Sequence, residues 1–246
     1  MIRLRAIPAL ALLAFLGAAL AGAQPRHAGG MFGRDAVNIW EQVAGTGRIF
    51  VSSSSNARSR LRARWIEARP GSEEEPLLLD LSGAIGRYRL RLVPGTGTEI
   101  LWAPRGDALM VTTSGGGLNG IYDLILVDRF RGRIRERNVS ALIRARFGHP
   151  IRCDYPEPPN VAGVAWLPSG NILVAAEIVH HSNCDSYGTF AAYEVNPAGP
   201  RIVRAYDQIE AKNRFRLLLG WEIADAPDRC VARPAGCRVA DGFNGE

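Results

Sequence analysis

Two segments of the chain repeat the same order of residue types. Residues 100–113 have the sequence ILWAPRGDALMVTT, and residues 164–177 have the sequence VAWLPSGNILVAAE. Each contains a tryptophan, a proline two residues later, a glycine followed by Asp or Asn, and then a second apolar stretch. Such a corner between apolar stretches is typical of a tight turn with positive φ that joins two strands. The repeat therefore predicts an all-β fold of antiparallel hairpin units formed one after another.

Alternating arginines predict the orientation of further strands. In residues 59–68, 87–93 and 129–137, arginine occupies every second position over most of the segment. Successive side chains of a strand point to opposite sides, so each arginine set shares one face. We expect these faces to be solvated. The alternative is that they bind an acidic polymer or an anionic membrane surface.

The corner motif and the strands that follow it resemble the repeat of TolB-type, WD40-like β-propellers. The resemblance covers residues 99–139 and 161–207 well, and 47–81 loosely. It rests on Trp102, Pro104, Gly106, Asp107, Leu126 and Asp128, and then on Trp166, Pro168, Gly170, Asn171, Tyr193 and Asn196. It implies antiparallel blades with each tryptophan packed between neighbouring blades.

Propellers usually close with four to eight blades, and this chain offers fewer clear ones. Residues 35–81 give a loose third blade, and a fourth is divided between residues 87–93 and 214–221. The prediction is therefore an all-β, small or incomplete β-propeller of antiparallel blades. The alternatives are a β-sandwich of the same hairpins and a half-ring that needs a partner chain.

Two local expectations accompany this architecture. Residues 140–147 are expected to form one or two helical turns that start from a serine cap. Asp123 lies inside an apolar strand, and we expect it to accept hydrogen bonds from a neighbouring blade, because buried acids need partners.

The first residues match the pattern of an exported protein. Arg3 and Arg5 precede an apolar run that ends in the small residues Ala-Gly-Ala. This pattern predicts a secretory signal peptide over residues 1–23, a flexible leader over 24–34, and a propeller-like domain over 35–246. The alternative is a membrane anchor, for which the run is short, since a spanning helix needs about 20 apolar residues. No later stretch is apolar enough to span a bilayer, and we expect a periplasmic or secreted protein.

Four cysteines in an exported chain favour two disulfides. Cys230 and Cys237 enclose a short loop with Pro and Gly, so their pairing staples the C-terminal segment. Cys153 then pairs with Cys184, which is one of three possible connectivities.

The densest polar cluster follows the second corner repeat. Its candidate binding residues are Glu177, His180, His181, Asp185 and Tyr187. Binding residues are disproportionately on loops, so we expect a binding surface here together with the glycine-rich residues 114–120. Zinc held by His180, His181 and Cys184 is the alternative, but a second cysteine pair at ligand spacing is missing. No catalytic residue, metal or cofactor is assigned, because no nucleophile-elbow, zinc-protease or dinucleotide motif is present.

Charge and composition restrict the classes of partner that we expect the chain to bind. The formal net charge is +6 and falls to +4 without Arg3 and Arg5. Lys212 is the sole lysine, which indicates the codon bias of a GC-rich bacterial genome. Nucleic-acid binding needs clustered positive charge and is not expected.

The prediction is an exported, non-catalytic binding or protein-interaction module of the bacterial envelope, with an envelope protein or a small ligand as partner. The alternative is a periplasmic hydrolase or lyase with its site on the 177–187 loop.

Overall fold

The computed structural model describes residues 29–39, 49–65, 77–92, 98–115, 120–147, 158–178 and 188–227. Within them the chain is mostly antiparallel β-structure, so the all-β prediction is confirmed. The strands are β1 (Val37–Asn38), β2 (Ile49–Ser53), β3 (Ser59–Trp65), β4 (Leu77–Gly83), β5 (Tyr88–Leu92), β6 (Glu99–Trp102), β7 (Ala108–Ser114), β8 (Tyr122–Phe130), β9 (Arg133–Asn138), β10 (Asn160–Trp166), β11 (Ile172–Glu177), β12 (Phe190–Asn196) and β13 (Arg201–Tyr206). The helices are α1 (Ser140–Arg146), α2 (Gln208–Phe215) and α3 (Trp221–Asp225).

These strands form three sheets, each built from consecutive strands. The first sheet has the order β2-β3-β4-β5, the second β1-β6-β7-β8-β9 and the third β10-β11-β12-β13. The exception to sequential order is β1, which pairs with β6 through Val37 and Ile100. No sheet closes into a barrel within the described ranges. Three meandering sheets are consistent with an incomplete propeller and with a sandwich of hairpins.

The expected fourth unit, divided between residues 87–93 and 214–221, is wrong. Tyr88–Leu92 is β5, which pairs with β4 and completes the first sheet. Residues 214–221 contain the end of α2, a turn and the start of α3. The Asp207 cap favours the helix that ends at Phe215: its side chain accepts a hydrogen bond from the Glu210 N–H at 2.8 Å. After the helix, the chain bonds to the N-terminal segment instead of a sheet, with the Gly220 N–H donating to Phe32 O at 2.8 Å.

The three sheets stack face to face around two inter-sheet cores. Leu61, Leu79 and Leu90 of the first sheet pack with Leu109 and Val111 of the second. On its other face, the second sheet packs against the third and against α1. A further core lies on the outer face of the third sheet, which α2 and α3 cover. Burial of both faces explains why β11 is a nearly continuous apolar run and why β7 begins with four consecutive apolar residues.

The two repeated tryptophans make equivalent contacts between sheets. Trp102 of the second sheet donates its Nε1–H to Ser52 Oγ of the first sheet at 3.2 Å. Trp166 of the third sheet donates its Nε1–H to Leu101 O of the second at 3.1 Å. Each tryptophan thus connects its own sheet to the preceding one, which confirms the packing expected from the repeat.

The corner glycines have the backbone conformation that the motif predicts. Gly106 has φ of 70° and Gly170 has φ of 82°, values that a glycine adopts without a steric penalty. Gly163 in β10 serves a different purpose, because a Cβ there would lie 2.9 Å from Met110 Sδ. This glycine lets the second and third sheets approach closely.

Two expectations around α1 need correction. Ser140 is the first helical residue rather than the cap, and its hydroxyl accepts a hydrogen bond from the Leu124 N–H at 2.8 Å. Asp123 is paired with Arg144 of α1 at 2.7 Å and is partly exposed. Its partner comes from the helix after its own sheet, not from a neighbouring sheet.

None of the helices in the described ranges is long and apolar enough to cross a membrane.

Candidate functional site

The strands present two ends, which have different chemistry. The loop end carries Ser114 and Glu177, the last residues of β7 and β11, and leads to the predicted binding loop. The corner end carries the Pro-x-Gly turns at residues 103–107 and 167–171. Antiparallel meanders place these features at opposite ends of the same sheets.

One of the predicted site residues can be placed. Glu177 ends β11 and is 1% exposed. The other four, His180, His181, Asp185 and Tyr187, lie outside the described residues. The predicted disulfide cysteines also lie outside them: Cys153, Cys184, Cys230 and Cys237.

Glu177 belongs to a buried polar neighbourhood at the loop end. Asn160 pairs across the sheet with Glu177 and accepts a hydrogen bond from the Tyr122 N–H at 3.0 Å. Burial raises the pKa of the Tyr122 phenol, and the nearby charges of Glu222, Glu99 and Glu177 act in the same direction. The phenol therefore stays protonated at any physiological pH.

Glu99 gives this neighbourhood a structural role. It is 1% exposed, and its carboxylate accepts backbone hydrogen bonds from Met31 and from Phe32, the latter at 3.2 Å. The Phe32 ring also packs edge-on against Tyr122, with centroids 5.0 Å apart. Glu99 thereby fixes the N-terminal segment against the sheets. Sequence reasoning missed Glu99 because its binding partners are backbone groups far away in the chain.

A groove of about 640 Å³ lies at the corner end, between the second and third sheets. Apolar area comes from Phe130, Trp166 and three prolines, namely Pro104, Pro168 and Pro197. Arg105, Asp107 and Arg129 supply charges of both signs at positions that are exposed. This size and mixture of apolar and charged groups is typical of a ligand pocket.

The matching space between the first and second sheets is closed by hydrogen bonds. Asn56 of the first sheet's turn donates to Pro104 O at 3.0 Å, and Ser59 donates to Gly106 O at 2.5 Å. These hydrogen bonds join the turn of the first sheet to the corner of the second. No equivalent pair of hydrogen bonds joins the corner of the second sheet to that of the third among the described contacts.

An ion network forms one wall of the groove. Arg135 binds Asp128 through two hydrogen bonds of 3.0 and 2.9 Å, and its guanidinium stacks 3.9 Å from the centroid of Phe130. Arg137 also pairs with Asp128 and donates to Pro197 O in the third sheet. Burial lowers the pKa of Arg137, and the Asp128 charge opposes this effect. The network therefore fixes Phe130 and holds the wall of the groove against the neighbouring sheet. The solvated face expected for residues 129–137 is wrong at Arg135 and Arg137, whose side chains are only 27% and 17% exposed because both pair with Asp128 and Arg137 also bonds to the third sheet.

Ser169, the serine among the described residues that line the groove, is not an activated nucleophile. Ser169 donates its hydroxyl to Glu194 Oε1 at 3.2 Å, which resembles a nucleophile and its base. Asn171 and Tyr206 also donate to this carboxylate, at 2.6 and 3.1 Å. The hydrogen bonds from Asn171, Tyr206 and Ser169 lower the pKa of Glu194, so it is a weak base. The arrangement can bind a ligand but does not activate Ser169.

Metal and histidine chemistry are not represented among the residues that the structure describes. They contain no cluster of three or more His, Cys, Asp or Glu side chains suited to a metal ion. All four histidines of the chain fall outside the described ranges.

Sequence reasoning missed the groove, although its corners were recognised as turns. The available signal was that both Pro-x-Gly corners must lie at the same end of adjacent sheets.

A scan against protein-family models, a search of curated proteins and a search of solved structures each found no match to this chain.

Proposed function

We propose that this protein is an exported, non-catalytic binding module of the bacterial envelope, and that the corner-end groove holds a segment of a partner protein. The groove of about 640 Å³ between the second and third sheets carries the proposal. The sequence pattern of residues 1–23 supports export. A periplasmic or secreted location is part of the same proposal.

The lining of the groove favours an extended polypeptide segment. Aromatic-lined grooves are used by domains that bind extended, proline-rich peptides. Phe130 and Trp166 provide apolar contact, while Arg105 and Asp107 provide opposite charges that would fix the direction of a bound chain. The weak basicity of Glu194 beside Ser169 supports binding rather than hydrolysis.

Blocking the groove tests the proposal directly. Ala198 lines the groove and is exposed, so Ala198→Trp fills space without removing a core contact. Ala141 on α1 is also exposed and lies outside the groove, so Ala141→Trp is the matched control. The measurement is affinity selection of a random peptide library on the purified protein, followed by titration of the enriched peptides.

We expect Ala198→Trp to weaken the enriched peptides at least about tenfold, as loss of a central contact does, and Ala141→Trp to leave them unchanged. Equal binding to both variants would show that the peptides do not bind in the groove. Loss of binding in His180→Ala and Tyr187→Ala instead would move the site to the loop end. Turnover in a broad hydrolase screen, or a stoichiometric bound metal, would favour the enzyme alternative.

A further inference from the structure

The outer face of the first sheet is an ordered array of arginines. The cross-strand register places its residues in three rows. The rows are Ser53–Arg60–Ser82, then Val51–Arg62–Asp80–Arg89, and then Ile49–Arg64–Leu78–Arg91. We call these eleven residues the arginine face.

The arginine face carries five arginines and one acid, which gives it a net charge of +4. Asp80 pairs with Arg89 at 2.6 Å and with Arg64 at 3.5 Å. The other three arginines form no ion pair with any described residue. They are Arg60, Arg62 and Arg91, all exposed.

Aliphatic side chains lie among these charges. Val51 is 61% exposed and Ile49 is 43% exposed, both on the edge strand β2. Leu78 is between Arg64 and Arg91 in its row and is only 5% exposed. The arginine stems therefore cover apolar surface while their guanidinium groups face outward, as is usual for long cationic side chains.

We propose that the arginine face docks on an anionic phospholipid bilayer. The face is a sheet surface about 14 Å wide and about 13 Å long, estimated from strand spacing and rise. Arginine binds phosphate oxygens through two parallel hydrogen bonds, and each cationic residue near an anionic bilayer strengthens binding about fivefold. This inference goes beyond the groove, which lies between the other two sheets.

The exposed aliphatic side chains favour a membrane over an acidic protein as the binding partner of the arginine face. Val51 and Ile49 can enter the boundary between head groups and acyl chains, where apolar and cationic side chains bind together. An acidic polypeptide would leave these two side chains without an apolar partner. A second copy of the same face is disfavoured because the two arginine arrays would repel.

Vesicle binding tests the proposal with full-chain variants. Arg60→Gln, Arg62→Gln and Arg91→Gln are combined in one protein, and thermal unfolding checks that it folds. The matched control combines Arg133→Gln, Arg201→Gln and Arg216→Gln, which removes the same charge from exposed positions elsewhere. Both are sedimented with phosphatidylcholine vesicles that contain about a third phosphatidylglycerol, and with pure phosphatidylcholine vesicles.

We expect the wild-type chain to bind the anionic vesicles and to bind the neutral ones far less. The triple variant should lose about a hundredfold in partition coefficient, which is the product of three such contributions, while the control loses less than about fivefold. Val51→Ser with Ile49→Ser should weaken the binding that remains at high salt, since salt screens the charges but not apolar contact.

Three outcomes would overturn the proposal. The first is equal binding of the wild-type chain to both kinds of vesicle. The second is an equal loss in the triple variant and the control, which would indicate attraction by net charge alone. The third is binding to soluble polyglutamate that exceeds binding to anionic vesicles, which would assign the face to an acidic protein segment.

Discussion

The two outer faces of the sheet stack differ in what covers them. On the third sheet, Leu173, Ala175 and Phe190 lie under α2 and α3 and are almost fully buried. On the first sheet, the arginine face has no described element packed over it, and Val51 is 61% exposed. One end of the stack is therefore covered by helices of the same chain, and the other end presents charged side chains.

This difference explains why the described stack has three sheets. A further sheet must bury an apolar face, and neither outer face offers one. Repeat proteins need end units with a polar outer side for the same reason. The comparison favours a small, capped arrangement over a half-ring that waits for another sheet. The likeness to TolB-type propellers remains a proposal that rests on the corner motif.

The largest expected effect is on the covered face. Phe215 of α2 is 7% exposed and packs edge-on against Tyr206, with centroids 5.0 Å apart. Phe215→Ala should lower the free energy of unfolding by about 3–5 kcal/mol, because it leaves a cavity under the helix. Urea denaturation measures this change. A loss below about 1 kcal/mol would mean that α2 contributes little to the third sheet.

A smaller effect is expected at the start of the covering helix. Asp207→Ala removes the side chain that accepts the Glu210 N–H at 2.8 Å. The expected loss is about 1 kcal/mol, typical of a helix N-cap. Asp225→Ala is the control, because that residue is exposed at the end of α3. Equal effects of the two substitutions in urea denaturation would argue against a specific cap.

One acid on each outer face is held by different partners, which predicts a pH effect. Asp80 is held by arginines, whereas Glu194 on the helix-covered face is held by Asn171, Tyr206 and Ser169. Hydrogen bonds lower the pKa of Glu194, so its contribution is complete above the ordinary value of 4.5 and is lost as the pH falls through the lower folded-state pKa.

When the pH falls from about 5 to about 3, the free energy of unfolding should therefore decrease less in Glu194→Gln than in the wild-type chain. Thermal unfolding at a series of pH values measures the difference. Asp225→Asn is the control, since it removes one exposed acid that lacks these hydrogen bonds. Parallel curves for Glu194→Gln and the wild-type chain would contradict the prediction.

The smallest effect is expected on the arginine face. Val51→Ala and Arg62→Gln should each change the free energy of unfolding by less than about 0.5 kcal/mol, because both side chains are exposed. The same urea experiment used for Phe215→Ala gives a direct comparison. A cost above about 1 kcal/mol for Val51→Ala would show that another part of the chain covers this face.

Local patterns predicted most of the strands. Alternation of arginine with apolar residues placed β3 and β5 correctly, and the Pro-x-Gly corners located the hairpins of the second and third sheets. Period-two patterns work here because burial of one strand face depends on the residues of that strand. The same reasoning failed at residues 214–221, where the apolar run is compatible with a strand but a capped helix ends at Phe215 and the residues after it bond to the distant N-terminal segment.

The candidate site was less predictable. Glu177 was chosen as a loop-end ligand contact, and it lies in a buried neighbourhood with Tyr122 and Asn160, which are distant in the sequence. The groove depends on Asn56 and Ser59 closing one inter-sheet space while the next stays open. No local pattern specifies which of two equivalent spaces is closed, because the partners belong to different sheets.

The sequence by itself determined the all-β class, the hairpin corners and the exposed arginine face of the first sheet. These features follow from turn chemistry and side-chain alternation, which act over a few residues. The tertiary structure decided that β5 completes the first sheet, that α2 and α3 cover the third, and that a groove remains between the second and third sheets. These outcomes depend on contacts between distant segments, whose energies are set only when the sheets pack against one another.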